Sequence, residues 1–179
     1  MLNELDIVRE VSARLEGAGI AYMLTGSMAM NFYAQPRMTR DIDIVIALAS
    51  THAGVMVDLF SPDFYVSREA VGQSIAHESL FNLIHNQSVI KVDCIIRKSS
   101  PYRLHEFQRR QRVCVGNFST WIVSKEDLIL SKLHWARDSN SELQLRDVKN
   151  LVSTGCDQAY IEGWIDELGI GSMWRNSTK

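Results

Sequence analysis

Three aspartates stand inside runs of sequence that are otherwise apolar. Asp41 and Asp43 open the run Asp41-Ile-Asp-Ile-Val-Ile46, and Asp93 interrupts Lys91-Val-Asp-Cys-Ile-Ile96. Side chains alternate between the two faces of a strand, so Asp41 and Asp43 share a face while Ile42 and Ile44 take the other. Two carboxylates side by side repel, and a divalent cation is the simplest way to neutralise such a pair at the mouth of a buried strand. Upstream, a short apolar run ends in Gly26-Ser27. At a strand-to-helix turn these residues offer backbone N–H groups and a hydroxyl to a phosphate. Each feature has a plainer reading. An Asp-x-Asp is common by chance and can be two solvated acids at a strand entrance. Asp93 can be an edge-strand acid paired with Lys91 or Arg97, and Ser27 can be a simple helix N-cap. The three features in this order on these elements favour the chemical reading.

The elements that must position these groups follow from periodicity. Leu2, Leu5, Val8, Val11 and Leu15 fall at helical spacing, predicting a first helix over 2–16 that ends at Gly17 and Gly19. A buried strand over 20–24 delivers the chain to Gly26-Ser27, and a helix of small residues follows as far as Gln35-Pro36, because proline disfavours helical geometry in the residue before it. The run 42–48 is too continuously apolar to face solvent and predicts a central strand. Helices are expected over 51–60 and 68–77 with a brief strand at 64–66, then two strands, 80–85 and 89–96, joined around Asn86-Gln87. A short helical link over 101–107 precedes a hairpin of 111–115 and 118–123 across Gly116-Asn117. Ser124-Lys-Glu-Asp127 is a capping-box signature opening a helix to about 137. A polar loop around Ser139-Asn140-Ser141 leads to a helix over 142–153, Asp157 caps a last one to 168, and the tail beyond Trp174 is expected to fray.

The chain has 179 residues, enough to bury a core without staples, with 46% hydrophobic and 22% charged residues and a formal net charge of −2. That balance argues against an indiscriminate nucleic-acid binder. The three cysteines, Cys94, Cys114 and Cys156, lie far apart with no CxxC, which predicts buried thiols in a reducing compartment and no zinc site. The N-terminus carries acids where a signal peptide needs a basic region, and no apolar run is long enough to span a bilayer; together these predict a soluble, cytoplasmic protein. Composition turns helical near Ser124, the one domain-like boundary, giving a mixed α/β domain over 1–123 and a C-terminal helical subdomain over 124–179.

With Gly26-Ser27, Asp41-Ile-Asp43 and Asp93 in this order, the sequence resembles the nucleotidyltransferase superfamily of polymerase-β-like fold. The phrase Gln35-Pro-Arg-Met-Thr-Arg-Asp-Ile-Asp43 looks like the AbiEii-type branch, which includes toxins of toxin–antitoxin systems. The resemblance extends through Lys91-Val-Asp93 and Glu126–Leu133 to Arg146-Asp147, and is strong only over 22–46. It implies an α+β fold, a mixed sheet flanked by helices with a short C-terminal helical part. It also implies NMP transfer from an NTP to an acceptor hydroxyl on tRNA, protein or a small molecule. Asp41, Asp43 and Asp93 would hold Mg²⁺ (or Mn²⁺), with Asp93 also helping to deprotonate the acceptor. Gly26, Ser27 and Lys132 would bind the triphosphate, joined by Arg40 or Arg37 unless those arginines are simply solvated. The branch adds a possible toxin–antitoxin partner and no membrane. Members of it usually carry a fuller C-terminal bundle, so the competing expectation is a catalytically inactive module that binds nucleotide or another protein.

Overall fold

The computed structural model describes residues 2–139 and 141–177. Along the chain run α1 (Glu4–Gly17), β1 (Tyr22–Thr25), α2 (Gly26–Met30), β2 (Ile42–Ile46), α3 (His52–Phe60), β3 (Phe64–Tyr65) and α4 (Arg68–Ala76). Then follow β4 (Leu80–His85), β5 (Lys91–Ile96), α5 (Pro101–Gln108), β6 (Gln111–Val115), β7 (Phe118–Ile122), α6 (Lys125–Ser139), α7 (Glu142–Ser153), α8 (Gln158–Leu168) and α9 (Gly171–Ser177).

The strands form one seven-stranded mixed sheet in the order β3-β4-β5-β2-β1-β7-β6. The apolar run of β2 does take a central place, antiparallel to β1 on one side and parallel to β5 on the other. One face of these strands is fully apolar: Ile42, Ile44 and Ile46 of β2 and Val92, Cys94 and Ile96 of β5 are buried. They join a single core cluster with Ile7, Val11 and Leu15 of α1, Phe60 of α3, and Leu128, Ile129 and Leu133 of α6. The opposite face carries Asp43 and Val45 beside Lys91, Asp93 and Ile95, all partly open to solvent or exposed.

Local chemistry explains where elements stop. The helix after Gly26-Ser27 ends at Met30, well before Pro36. Asn31 cuts it short: its side chain donates to the Arg37 carbonyl at 3.3 Å and accepts from the Arg37 N–H at 3.1 Å, offering the backbone an alternative to helical bonding. Strand β5 begins at Lys91 because Val89 is in the left-handed region (φ 59°), its N–H closing the turn onto the His85 carbonyl at 2.9 Å. At Ser124 half of the expected capping box forms, with Asp127 N–H donating to Ser124 Oγ at 3.3 Å. The carboxylate of Asp127 is instead drawn into a buried network, accepting from Arg109 Nε at 3.0 Å and Tyr160 OH at 2.6 Å. Asp157 caps α8 as anticipated, through a 3.0 Å bond from Tyr160 N–H. Residues 171–177 form α9, anchored by buried Trp174, where the sequence suggested fraying. Asn140, at the centre of the expected polar loop, lies outside the described residues, as do 178 and 179. No helix among the described residues is long and apolar enough to cross a membrane.

Candidate active site

Register brings the acids together. Asp43 of β2 and Asp93 of β5 are direct neighbours across the parallel ladder, on the open face, and Asp41 precedes β2 by one residue. All three line one cleft of about 680 Å³ with Thr25, Gly26 and Ser27. Thr25 pairs with Asp43 across β1 and β2, which sets the Gly26 turn directly over the Asp43 carboxylate. A Cβ at Gly26 would collide with that carboxylate, lying 2.9 Å from its Cγ, and Gly26 has φ +63°, a conformation that side-chain-bearing residues rarely adopt. Gly26 is thus a glycine on two separate counts.

The acids form a site short of positive charge. Burial, then the charge of Asp93, then that of Asp41 push the Asp43 carboxyl up to about 6; Lys132 and Lys91 only partly offset this. Asp93 is held from its far side: its Oδ1 accepts a hydrogen bond from Asn82 Nδ2 of β4, and its Oδ2 accepts from Lys91 Nζ at 3.0 Å. Among the described residues no three Asp, Glu, His or Cys side chains close into a ready-made metal cage.

The cationic side is built by the C-terminal helices. Asp147 of α7, 2% exposed, receives Lys132 Nζ of α6 at 2.8 Å. It also receives the Arg37 fork, Nε at 3.1 Å and Nη2 at 3.0 Å, and Arg37 Nη2 bonds onward to Ser27 Oγ. Gln144 takes a second Lys132 bond at 3.0 Å. Burial raises the Asp147 carboxyl, but hydrogen bonds from Arg37 and Lys132 outweigh it and hold the group below the usual carboxylate range. Burial lowers the Lys132 ammonium, opposed by Asp147. One carboxylate therefore holds two cations in the cleft, and one of them, Arg37, reaches Ser27. Arg37 lines the cleft and Arg40 does not; Arg40 is exposed beside it.

The cleft continues past this cluster between β5, α5 and α6. Glu106, 3% exposed, accepts from Arg103 Nη1 at 2.8 Å and Ser131 Oγ at 2.7 Å, and burial raises its pKa. His134, Trp135 and Leu143 complete that wing. Sequence reasoning gave no part to Asn82, Glu106 or Ser131 and left Asp147 without a role. Asn82 had a detectable signal, an amide alternating with apolar residues in 80–85 and thus facing as Asp93 does once the strands pair. Glu106 had none, since an acid in a short helix usually faces water.

No known protein family matches the sequence, and no curated protein is detectably similar to it. Solved structures are similar in fold. A nucleotidyltransferase-like antigenic protein of Paracoccidioides brasiliensis aligns over 84% of this chain and 75% of its own, with TM-score 0.58 and 20% identity. A lincosamide antibiotic adenylyltransferase, solved with lincomycin, aligns over 86% and 98%, with TM-score 0.56 and 15% identity. The enzyme ANT(2")-Ia, solved with adenylyl-2"-tobramycin, aligns over 90% and 94%, with TM-score 0.59 and 12% identity. The chain therefore has the nucleotidyltransferase fold, a mixed sheet flanked by helices.

Proposed function

We propose that the chain is a metal-dependent nucleotidyltransferase, moving an NMP from an NTP to an acceptor hydroxyl and releasing pyrophosphate. The observation that carries this reading is the meeting of Asp43 and Asp93 on adjacent strands, under the Gly26-Ser27 turn and across from Lys132 and Arg37. The donors suit Mg²⁺ or Mn²⁺, hard ions that take one or two carboxylates and complete their shell with phosphate oxygens and water. Asp43 is already penalised for its negative charge, which such an ion would relieve, and a closed cage of acids is not required. Asp41, Asp43 and Asp93 would hold the metal, which supplies Lewis-acid stabilisation of the transferring phosphoryl group.

The chain's own groups account for the rest. Ser27, Arg37 and Lys132 bind the β- and γ-phosphates, where charge grows as pyrophosphate leaves. The acceptor oxygen forms its bond to the α-phosphorus as the bridge to the β-phosphate breaks, and the Asp93 carboxylate helps to take up the hydroxyl proton. A cleft of about 680 Å³ falls within the range of roughly 300–1,000 Å³ usual for small-molecule sites. The neighbouring structures named for lincosamide and tobramycin chemistry illustrate small acceptors on this fold. The phrase 35–43 keeps the AbiEii-type branch, with a tRNA or protein acceptor and a cognate antitoxin, as the other form of the same reading.

The test is transfer from each α-³²P-labelled NTP, with Mg²⁺, to separated pools of tRNA, protein and small metabolites. Label should enter one pool with wild-type protein and none with Asp43→Asn or Asp93→Asn. Absence of label from every pool with every NTP overturns the enzymatic reading in favour of a binding module.

A further inference from the structure

Asp93 is the acid the reaction needs most freely, yet both its oxygens are engaged. Asn82 bonds Oδ1 and Lys91 Nζ bonds Oδ2 at 3.0 Å. The order β4-β5-β2 places Asn82 and Asp43 on opposite sides of Asp93, each its direct register partner. The amide therefore draws the carboxylate toward β4 and away from Asp43. Lys91 lies two residues before Asp93 on the same face, lines the cleft, and keeps its side chain 46% exposed. An ammonium ion on a carboxylate occupies the position of a metal ion: it brings positive charge to the same oxygen and can be displaced from it.

We propose that Asn82 and Lys91 form a latch that holds Asp93 apart from Asp43, and that Lys91 is a resident counter-cation which an arriving divalent ion must displace. This rests on the metal-dependent reading of the same site. Two observations converge on it. The three acids share one cleft without closing into a cage. Asn82 is the polar residue between buried Phe81 and Leu83, and its amide is spent on Asp93. When the latch opens, the Lys91 ammonium stays within the cleft, free to meet a phosphate oxygen.

The experiment titrates the full chain with Mn²⁺ alone and follows free Mn²⁺ by electron paramagnetic resonance, so no turnover enters the readout. Lys91→Met should bind Mn²⁺ about two- to fivefold more tightly than wild type, the range that loss of a partly exposed ion pair allows. Asn82→Ala should move affinity the same way. In an Asp93→Asn background Lys91→Met should change nothing, because the double-mutant cycle removes the latch from both sides. Lys98→Met removes another cleft cation with no bond to Asp93, and its effect should persist in that background. If Lys91→Met leaves affinity unchanged, or tightens it equally in the wild-type and Asp93→Asn backgrounds, the latch is refuted and Lys91 is only part of the general field. If wild type binds no Mn²⁺, or Asp43→Asn binds as well as wild type, the metal-dependent reading itself fails and takes the latch with it.

Discussion

Asp43→Asn should stabilise the protein while disabling it. Burial and the two neighbouring acids raise the Asp43 carboxyl from its ordinary 3.8 to about 6. Between those values the folded chain holds a proton that the unfolded chain has lost, so stability falls as pH rises from about 4 to about 6 and is level above. A displacement of this size corresponds to ~3 kcal/mol against the ionised folded state, which solvent reaching the cleft lowers to ~2 kcal/mol. Asparagine keeps the shape, carries no charge and escapes the penalty. At ~2–4 °C per kcal/mol for a chain of this size, the variant should melt about 4–8 °C above wild type at pH 8 without metal. The gap should roughly halve at pH 5, where wild type is largely protonated. Millimolar Mg²⁺ with NTP should then raise the wild-type melting temperature and leave the variant where it was. Calorimetry at the two pH values, with and without Mg²⁺ and NTP, reads all of this. A variant no more stable than wild type at pH 8, or a gap that does not narrow at pH 5, refutes the electrostatic argument.

Three further outcomes are expected. Lys132→Met should lower kcat/KM for the NTP by ~10²–10³, as loss of a charge aimed at the leaving pyrophosphate does, in steady-state kinetics with the labelled acceptor pool. Asp147→Asn should weaken NTP binding in calorimetric titration about as much as Lys132→Met, since Lys132 and Arg37 both lose their anchor. It should also destabilise the fold by ~3 kcal/mol in urea unfolding, because a buried ammonium is left without its counter-charge. Gly26→Ala should cost ~1–2 kcal/mol in the same assay for the left-handed backbone alone, and it should abolish transfer by pushing Asp43 aside.

The central architecture was legible because alternation and turn chemistry are local signals. Lys91, Asp93 and Ile95 on one face and Val92, Cys94 and Ile96 on the other follow from the pleat alone, and burial of the second set bears them out. The acids of β2 and β5 were identifiable one by one, but their adjacency depends on sheet order, which no local pattern encodes. Where side chains compete with the backbone, details changed: Asn31 ended α2 early, and the Asp127 carboxylate, still bonded to Ser124, was drawn to Arg109 and Tyr160 as well. Arg37 was indistinguishable from a solvated arginine in sequence. Its role depends on Asp147, 110 residues away, whose two cations meet only in the folded chain. The tail became a helix because Trp174 found a buried seat, a tertiary preference that overrides a polar composition.

The contact between Gly26 and the Asp43 carboxylate bears on how this fold is to be searched for. The antiparallel register of β1 and β2, and not the loop over 31–41, fixes that contact. The loop is therefore free to lengthen or shorten, while an aspartate in this position holds its neighbour across the turn to glycine. A search keyed to the spacing between the two motifs will miss distant members. One that asks for a glycine one residue past the register partner of the second aspartate should retain them, and should reject chance Gly-Ser and Asp-x-Asp pairs on unpaired strands.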